Sequence, residues 1–121
     1  MAKTVLIVDD SMYMRTLIRE VLTPIGFEVV GDAGTGDDAI EMALDLEPDL
    51  ITLDNILPDM MGTEILKVLK EEEGIDSHII MISAVGQQSV VDEAKGLGAV
   101  GYIVKPFSND QLIAEVQKVI S

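Results

Sequence analysis

The chain has 121 residues, 48% of them hydrophobic, which suits one domain with a single core and is too apolar for an intrinsically disordered chain. Its 22 acidic and 8 basic residues leave a net charge of −14, which excludes a surface of clustered Lys and Arg for nucleic acid and disfavours anionic membranes. With no cysteine there is no disulfide framework, thiolate metal site or thiol nucleophile.

The start, Met1-Ala2-Lys3-Thr4-Val5, has a faint likeness to a leader peptide, but its apolar run ends at Val8 against two aspartates, too short for such a segment. No stretch approaches the roughly 20 apolar residues of a membrane span. The expectation is one soluble, cytoplasmic domain over residues 1–121.

Strand and helix patterns then alternate five times. The first strand runs from Lys3 to Val8, and Met14, Leu17, Ile18, Val21, Leu22 and Ile25 follow at helical spacing, stopped by Pro24 and Gly26. The second strand covers Glu28 to Gly31, before a helical stripe of Ala39, Ile40, Ala43 and Leu44 that closes before Pro48. The third strand, Asp49 to Leu53, leads through a loop with Pro58 and Gly62 into a helix carrying Ile65, Leu66, Val68 and Leu69. The fourth strand, His78 to Ile82, precedes a helix with Val90, Val91, Ala94 and Leu97, ended by Gly96 and Gly98. The fifth strand, Gly101 to Val104, precedes a last helix opened by Ser108-Asn109-Asp110-Gln111, the spacing of a capping box. Strands one, three and four are almost continuously apolar, as strands covered on both faces are. Together with the alternation this predicts an α/β fold with a parallel sheet and right-handed crossovers.

Each apolar strand ends on a polar residue: Asp9-Asp10, Asp54, Ser83 and Lys105. In an open parallel sheet those carboxyl ends share one edge, where such folds bind ligands. Two like unit charges about 4 Å apart repel by roughly 4 kcal/mol at an effective dielectric near 20, so three gathered carboxylates are unfavourable unless a proton or a cation intervenes. Oxygen-only ligands, with no His or Cys nearby, favour Mg²⁺. Asp54 is the best nucleophile, able to attack phosphorus once charge on the transferring group is neutralised, with Lys105 as a movable positive charge and Ser83 as a hydrogen-bond donor. The glycines Gly31, Gly34 and Gly36 lack the Lys-Ser/Thr of a P-loop and read as turn residues. His78, the one histidine, begins a strand on the far edge and has no expected catalytic role.

At these residues the chain resembles the receiver domain of two-component response regulators. The likeness spans essentially the whole chain through Asp9-Asp10, Leu53-Asp54-Asn55-Ile56-Leu57-Pro58-Asp59-Met60, Ser83-Ala84 and Lys105-Pro106-Phe107. Ser83-Ala84-Val85-Gly86-Gln87-Gln88 further resembles the stand-alone chemotaxis regulators. The resemblance implies a flavodoxin-like sheet of order 2-1-3-4-5. It implies that Asp54 takes a phosphoryl group from a sensor histidine kinase, and that one Mg²⁺ is held by Asp10, Asp54 and the Ile56 carbonyl, with Asp9 acting mostly through water. Ser83 and Lys105 would bind the phosphoryl group, helped by the N–H groups of Asn55 and Ala84, and Lys105-Pro106 would be cis. Phosphorylation would draw Ser83 inward and let Tyr102 turn into the vacated space. The altered surface, with Val91, Lys95, Tyr102, Phe107 and Lys118, would then bind a motor-switch or adaptor protein. The expected role is thus a monomeric phosphoacceptor switch rather than an enzyme.

Three features depart from the family pattern. Met61 stands where an acidic or amide residue is common, and the face of the last two helices has few lysines. Ile56 and Val85 flank the phosphoryl position and cannot orient an attacking water, which predicts slow self-dephosphorylation. Within receivers, a phosphorelay intermediate is the alternative role. From other classes, a Mg²⁺-dependent phosphatase would want Asp-x-Asp after the first strand, where this chain has Asp9-Asp10-Ser11. A flavodoxin-type electron carrier would want a hydroxyl- and glycine-rich loop there, and two aspartates would repel a flavin phosphate.

Overall fold

The computed structural model describes residues 3–120. Met1 and Ala2, the first two residues of the stretch likened to a leader, lie outside the described residues. The elements run β1 Lys3–Val8, α1 Met12–Leu22, β2 Phe27–Ala33, α2 Gly36–Leu46, β3 Leu50–Leu53, α3 Gly62–Lys67, β4 His78–Ser83, α4 Gln88–Gly96, β5 Gly101–Val104 and α5 Asn109–Val119. All neighbouring strands pair in parallel, in the order β2-β1-β3-β4-β5. The α/β class and the strand order are those expected.

Alternate side chains of each strand enter two cores. Leu6, Val8, Ile51, Leu53, Ile79 and Met81 pack on one face with Ala39 and Ala43 of α2, Ile65 and Leu66 of α3, and Ala94 of α4. Val5, Ile7, Leu50, Ile80, Ile82 and Ile103 pack on the other with Ile18 and Leu22 of α1 and Leu112 and Val116 of α5. Burial of both sheet faces explains why these strands read as unbroken apolar runs.

The differences from the sequence expectation lie at element ends. Strand β2 extends beyond Glu28–Gly31 to Phe27–Ala33, because Gly31, Asp32 and Ala33 continue the ladder with Leu6, Ile7 and Val8 after a register shift. Helix α1 passes into a 3₁₀ turn, Thr23–Ile25, and Gly26 ends it at φ 102°, a conformation glycine adopts without strain. Helix α3 continues as a π-type turn, Val68–Glu72. The capping box of α5 is present, with Ser108 and Gln111 each accepting from the other's backbone N–H.

Candidate functional site

Strand β1 lies between β2 and β3, so the chain leaves it toward opposite edges of the sheet. The carboxyl ends of β1 and β3 therefore flank the switch point of this topology, the place where open α/β sheets leave a crevice. Backbone pairing continues past the strands and fixes the residues beyond them. The Asp9 N–H donates to the Ala33 carbonyl at 3.0 Å, and the Asp54 N–H donates to the Val8 carbonyl at 3.0 Å. At the next pair, the Lys105 N–H donates to the Ser83 carbonyl at 2.9 Å.

These bonds bring three acids together. One carboxylate oxygen each from Asp9, Asp10 and Asp54 lies within 4.8 Å of the others. Asp9 is 1% exposed and Asp54 6%, while Asp10 is open to solvent. The Lys105 ammonium bridges the buried pair, 2.7 Å from Asp9 Oδ2 and 3.4 Å from Asp54 Oδ2. Burial pushes the Asp54 carboxyl above its ordinary pKa; Lys105 opposes that shift and the Asp9 charge adds to it. One ammonium for three carboxylates leaves the cluster short of positive charge. The donor set is all oxygen, and two of its members are withdrawn from water, so the residues fit a hard divalent cation. Asp9, Asp10 and Asp54 would hold it.

Around the acids the other candidates take their places. Ser83 is completely buried at the end of β4, and its hydroxyl accepts from the Val85 N–H at 3.1 Å. The Lys105-Pro106 peptide is cis. Ile56 stands 52% exposed beside Asp54, an apolar side chain at the rim, and Val85 is half-buried. Tyr102 is half-buried, and its hydroxyl donates to the Val85 carbonyl, so the ring already points toward the β4–α4 loop. Any swing of Tyr102 would start from that inward position. Lys95 and Lys118 are exposed and Val91 is half-buried. Tyr102 packs against the core on the α2–α3–α4 side and Phe107 against the core on the α1–α5 side, so these aromatics flank β5 from opposite faces. His78 begins β4, at the far end of the sheet, where its N–H donates to the Asp49 carbonyl.

Two residues of the neighbourhood are not marked in the sequence. Arg15 reaches back from α1, and its guanidinium donates to the Asp9 carbonyl at 2.6 Å. Its spacing from Asp9, six residues with a loop between, offers no periodic signal. Asp59, in the β3–α3 loop, accepts from the N–H groups of Gly36 and Asp37 at 2.7 and 3.0 Å. An Asp after Pro58 reads locally as a turn former, and its partners lie 22 and 23 residues away.

Comparison with known proteins adds the family. Residues 5–117 match the family described as response regulator receiver domain. The chemotaxis protein CheY of Bacillus subtilis is 42% identical over 121 residues, covering 100% of both chains. CheY of Thermotoga maritima is 40% identical over 119 residues, covering 98% of each. Among solved structures, a CheX-CheY-BeF₃-Mg²⁺ complex from Borrelia burgdorferi superposes with a TM-score of 0.93 at 30% identity, covering 98% of this chain and 90% of that one. Receiver domains typically bind Mg²⁺, and the acidic cluster here has the composition for it. Among the described residues no helix is long and apolar enough to cross a membrane. The strand order, the acids at the switch point and a family match over almost the full length lead to one conclusion: this chain belongs to the receiver-domain family of two-component response regulators and is CheY-like throughout.

Proposed function

We propose that this protein is a phosphorylation-driven binding switch for chemotaxis, in which Asp54 accepts a phosphoryl group from the phosphohistidine of a sensor kinase. The observation that carries this reading is the setting of Asp54: buried at the end of a central strand, with two further acids within 4.8 Å and an ammonium at 3.4 Å.

In the transfer, a carboxylate oxygen of Asp54 attacks phosphorus, the P–N bond to the kinase imidazole breaks, and an acyl phosphate forms. The leaving imidazole keeps the electron pair of the broken bond and takes its proton from solvent. Bound Mg²⁺, held by Asp9, Asp10, Asp54 and the Ile56 carbonyl, would neutralise part of the phosphoryl charge. Lys105 is already 3.4 Å from Asp54 and can turn from that carboxylate to a phosphoryl oxygen. Ser83, one strand over, supplies a hydroxyl, and the N–H groups of Asn55 and Ala84 would add donors. Movement of Ser83 toward the phosphoryl group would pull on the β4–α4 loop, where Val85 bonds both the Ser83 hydroxyl and the Tyr102 hydroxyl. The signal would leave through Tyr102 and the flanking Val91, Lys95, Phe107 and Lys118, read by a motor-switch or adaptor protein in the cytoplasm. The protein assists its own phosphorylation and hydrolysis and turns over no separate substrate.

The test is labelling of the full chain with acetyl phosphate or phosphoramidate. Wild type should take up one phosphoryl group in Mg²⁺ and almost none in EDTA, and Asp54→Asn should take up none. Labelling of Asp54→Asn at the wild-type level, or continuous release of phosphate from an ester substrate, would overturn the reading.

A further inference from the structure

The β3–α3 loop carries the Ile56 carbonyl and is held at two places. At its base, the Gly62 N–H donates to the Asn55 carbonyl at 2.6 Å and the Thr63 N–H to Asn55 Oδ1 at 3.3 Å. At its tip, the Leu57 N–H closes onto the Met60 carbonyl at 3.3 Å. The tip is joined to another element through Asp59, which spreads its two oxygens over the Gly36 and Asp37 N–H groups at the start of α2. Those N–H groups have no partner within the helix, and a carboxylate is favoured at that end of the helix dipole. The usual local cap is present as well: Thr35 Oγ1 accepts from the Asp38 N–H at 3.2 Å. Helix α2 is thus capped twice, once by its own N-cap residue and once by a loop from another crossover.

Side-chain packing reinforces the joint. Met60 lies over the first turn of α2 so closely that a Cβ on Gly36 would fall 2.2 Å from Met60 Cγ. The glycine is what allows the loop tip to press against the helix. Between this clamp and the Asn55 base lies the short segment that presents Ile56.

We infer that Asp59 is a positioning residue for the divalent cation, holding the β3–α3 loop, and with it the Ile56 carbonyl of the proposed site, against α2. Asp59 itself stays outside the coordination sphere, with both oxygens engaged by α2. The inference rests on the proposed Mg²⁺ site and concerns how that site is kept in shape. Groups that orient metal ligands typically change affinity by about 10- to 100-fold when removed.

The test is calorimetric titration of MgCl₂ into the full chain, wild type against three variants, with circular dichroism and melting curves as fold controls. Asp59→Ala should weaken Mg²⁺ binding about tenfold, and Asp59→Asn, which keeps one acceptor oxygen, about threefold. Thr35→Ala removes a cap from the same helix without touching the loop. It should lower the melting temperature yet leave Mg²⁺ affinity within about twofold, below the range expected for a positioning group. Equal weakening by Thr35→Ala would assign the effect to helix stability and overturn the inference. So would binding by Asp59→Ala within twofold of wild type, and if that variant does not fold, the same outcome for Asp59→Asn decides. Absence of Mg²⁺ binding by wild type would instead bring down the site reading itself, and the inference with it.

Discussion

Replacing Asp54 by Asn should make the metal-free protein more stable while greatly weakening its response to Mg²⁺. The magnitude follows from the cluster. Asp9 places an oxygen within 4.8 Å of Asp54, a repulsion of about 3.5 kcal/mol at an effective dielectric near 20, while the charge of Asp10, open to solvent, is screened by water. The one opposing attraction, to Lys105 at 3.4 Å, is about 4.9 kcal/mol on the same scale. That attraction exceeds the Asp9 repulsion by about 1.4 kcal/mol, and the cost of several kcal/mol of holding a carboxylate out of water, the largest cause of the raised Asp54 carboxyl, turns the balance to about 2 kcal/mol in favour of Asn. For a domain of this size that corresponds to a rise in melting temperature of roughly 8 °C in EDTA.

Titration sets the pH dependence. The folded-state pKa of Asp54 is raised, so its ionisation works against folding. The penalty is absent below the ordinary carboxylate value of 3.8, grows as pH rises through the elevated folded value, and is full above it. The advantage of Asn should therefore be complete at neutral pH and fade as pH falls toward that ordinary value. Mg²⁺ should act in the opposite sense, stabilising wild type by about 2.7 kcal/mol at a hundredfold excess over its dissociation constant and the variant far less. Thermal melts of both proteins, with EDTA and with MgCl₂, measure all of this. A lower melting temperature for Asp54→Asn in EDTA, or a gap unchanged by Mg²⁺, would refute the electrostatic account of the cluster.

Other positions give independent tests. Thr52 is buried in β3 with no hydrogen-bond partner for its hydroxyl, so Thr52→Val should raise stability by about 1 kcal/mol in urea unfolding, and a loss would contradict the assignment of an orphaned polar atom. A Cβ at Gly62 would sit 2.4 Å from the Asp54 carbonyl oxygen and 2.7 Å from Asn55 Cα, both backbone atoms. Gly62→Ala should therefore cost about 2 kcal/mol or more and slow acetyl phosphate labelling, because the shift falls on the acceptor's own peptide. Ile56 is exposed at the rim and offers water no hydrogen bond, so Ile56→Asn should shorten the lifetime of phosphorylated protein in a phosphate-release assay, and an unchanged or longer lifetime would count against that role.

Legibility in the sequence depended on how local each signal was. The ends of β1, β3, β4 and β5 could be read because an apolar run meets a polar residue where the sheet meets solvent, and the whole candidate site lies at those ends. The α5 cap was equally plain, since Ser108 and Gln111 satisfy one another within four residues. The end of β2 was not, because Gly31 and Asp32 are poor strand formers held by pairing with β1. The π-type turn after α3 is also tertiary in origin: Lys70 Nζ donates to the carbonyls of Ile75 and Ser77, and Leu69 is buried in the core. Within the site, the resemblance assigned Lys105 to the phosphoryl group, and the structure adds its pairing with Asp9 across 96 positions. The contacts of Asp59 and Arg15 have no local sign for the same reason, because each acts on a backbone group that no spacing rule connects to it.

Lys105 comes from the last strand, while the acids it joins come from the first and third. No fragment that stops short of β5 can present the complete constellation, and neither can a chain whose sheet has begun to open from that edge. On the proposed function, competence to receive a signal is therefore tied to completion of folding: an unfinished or damaged copy would be deaf rather than wrongly switched on.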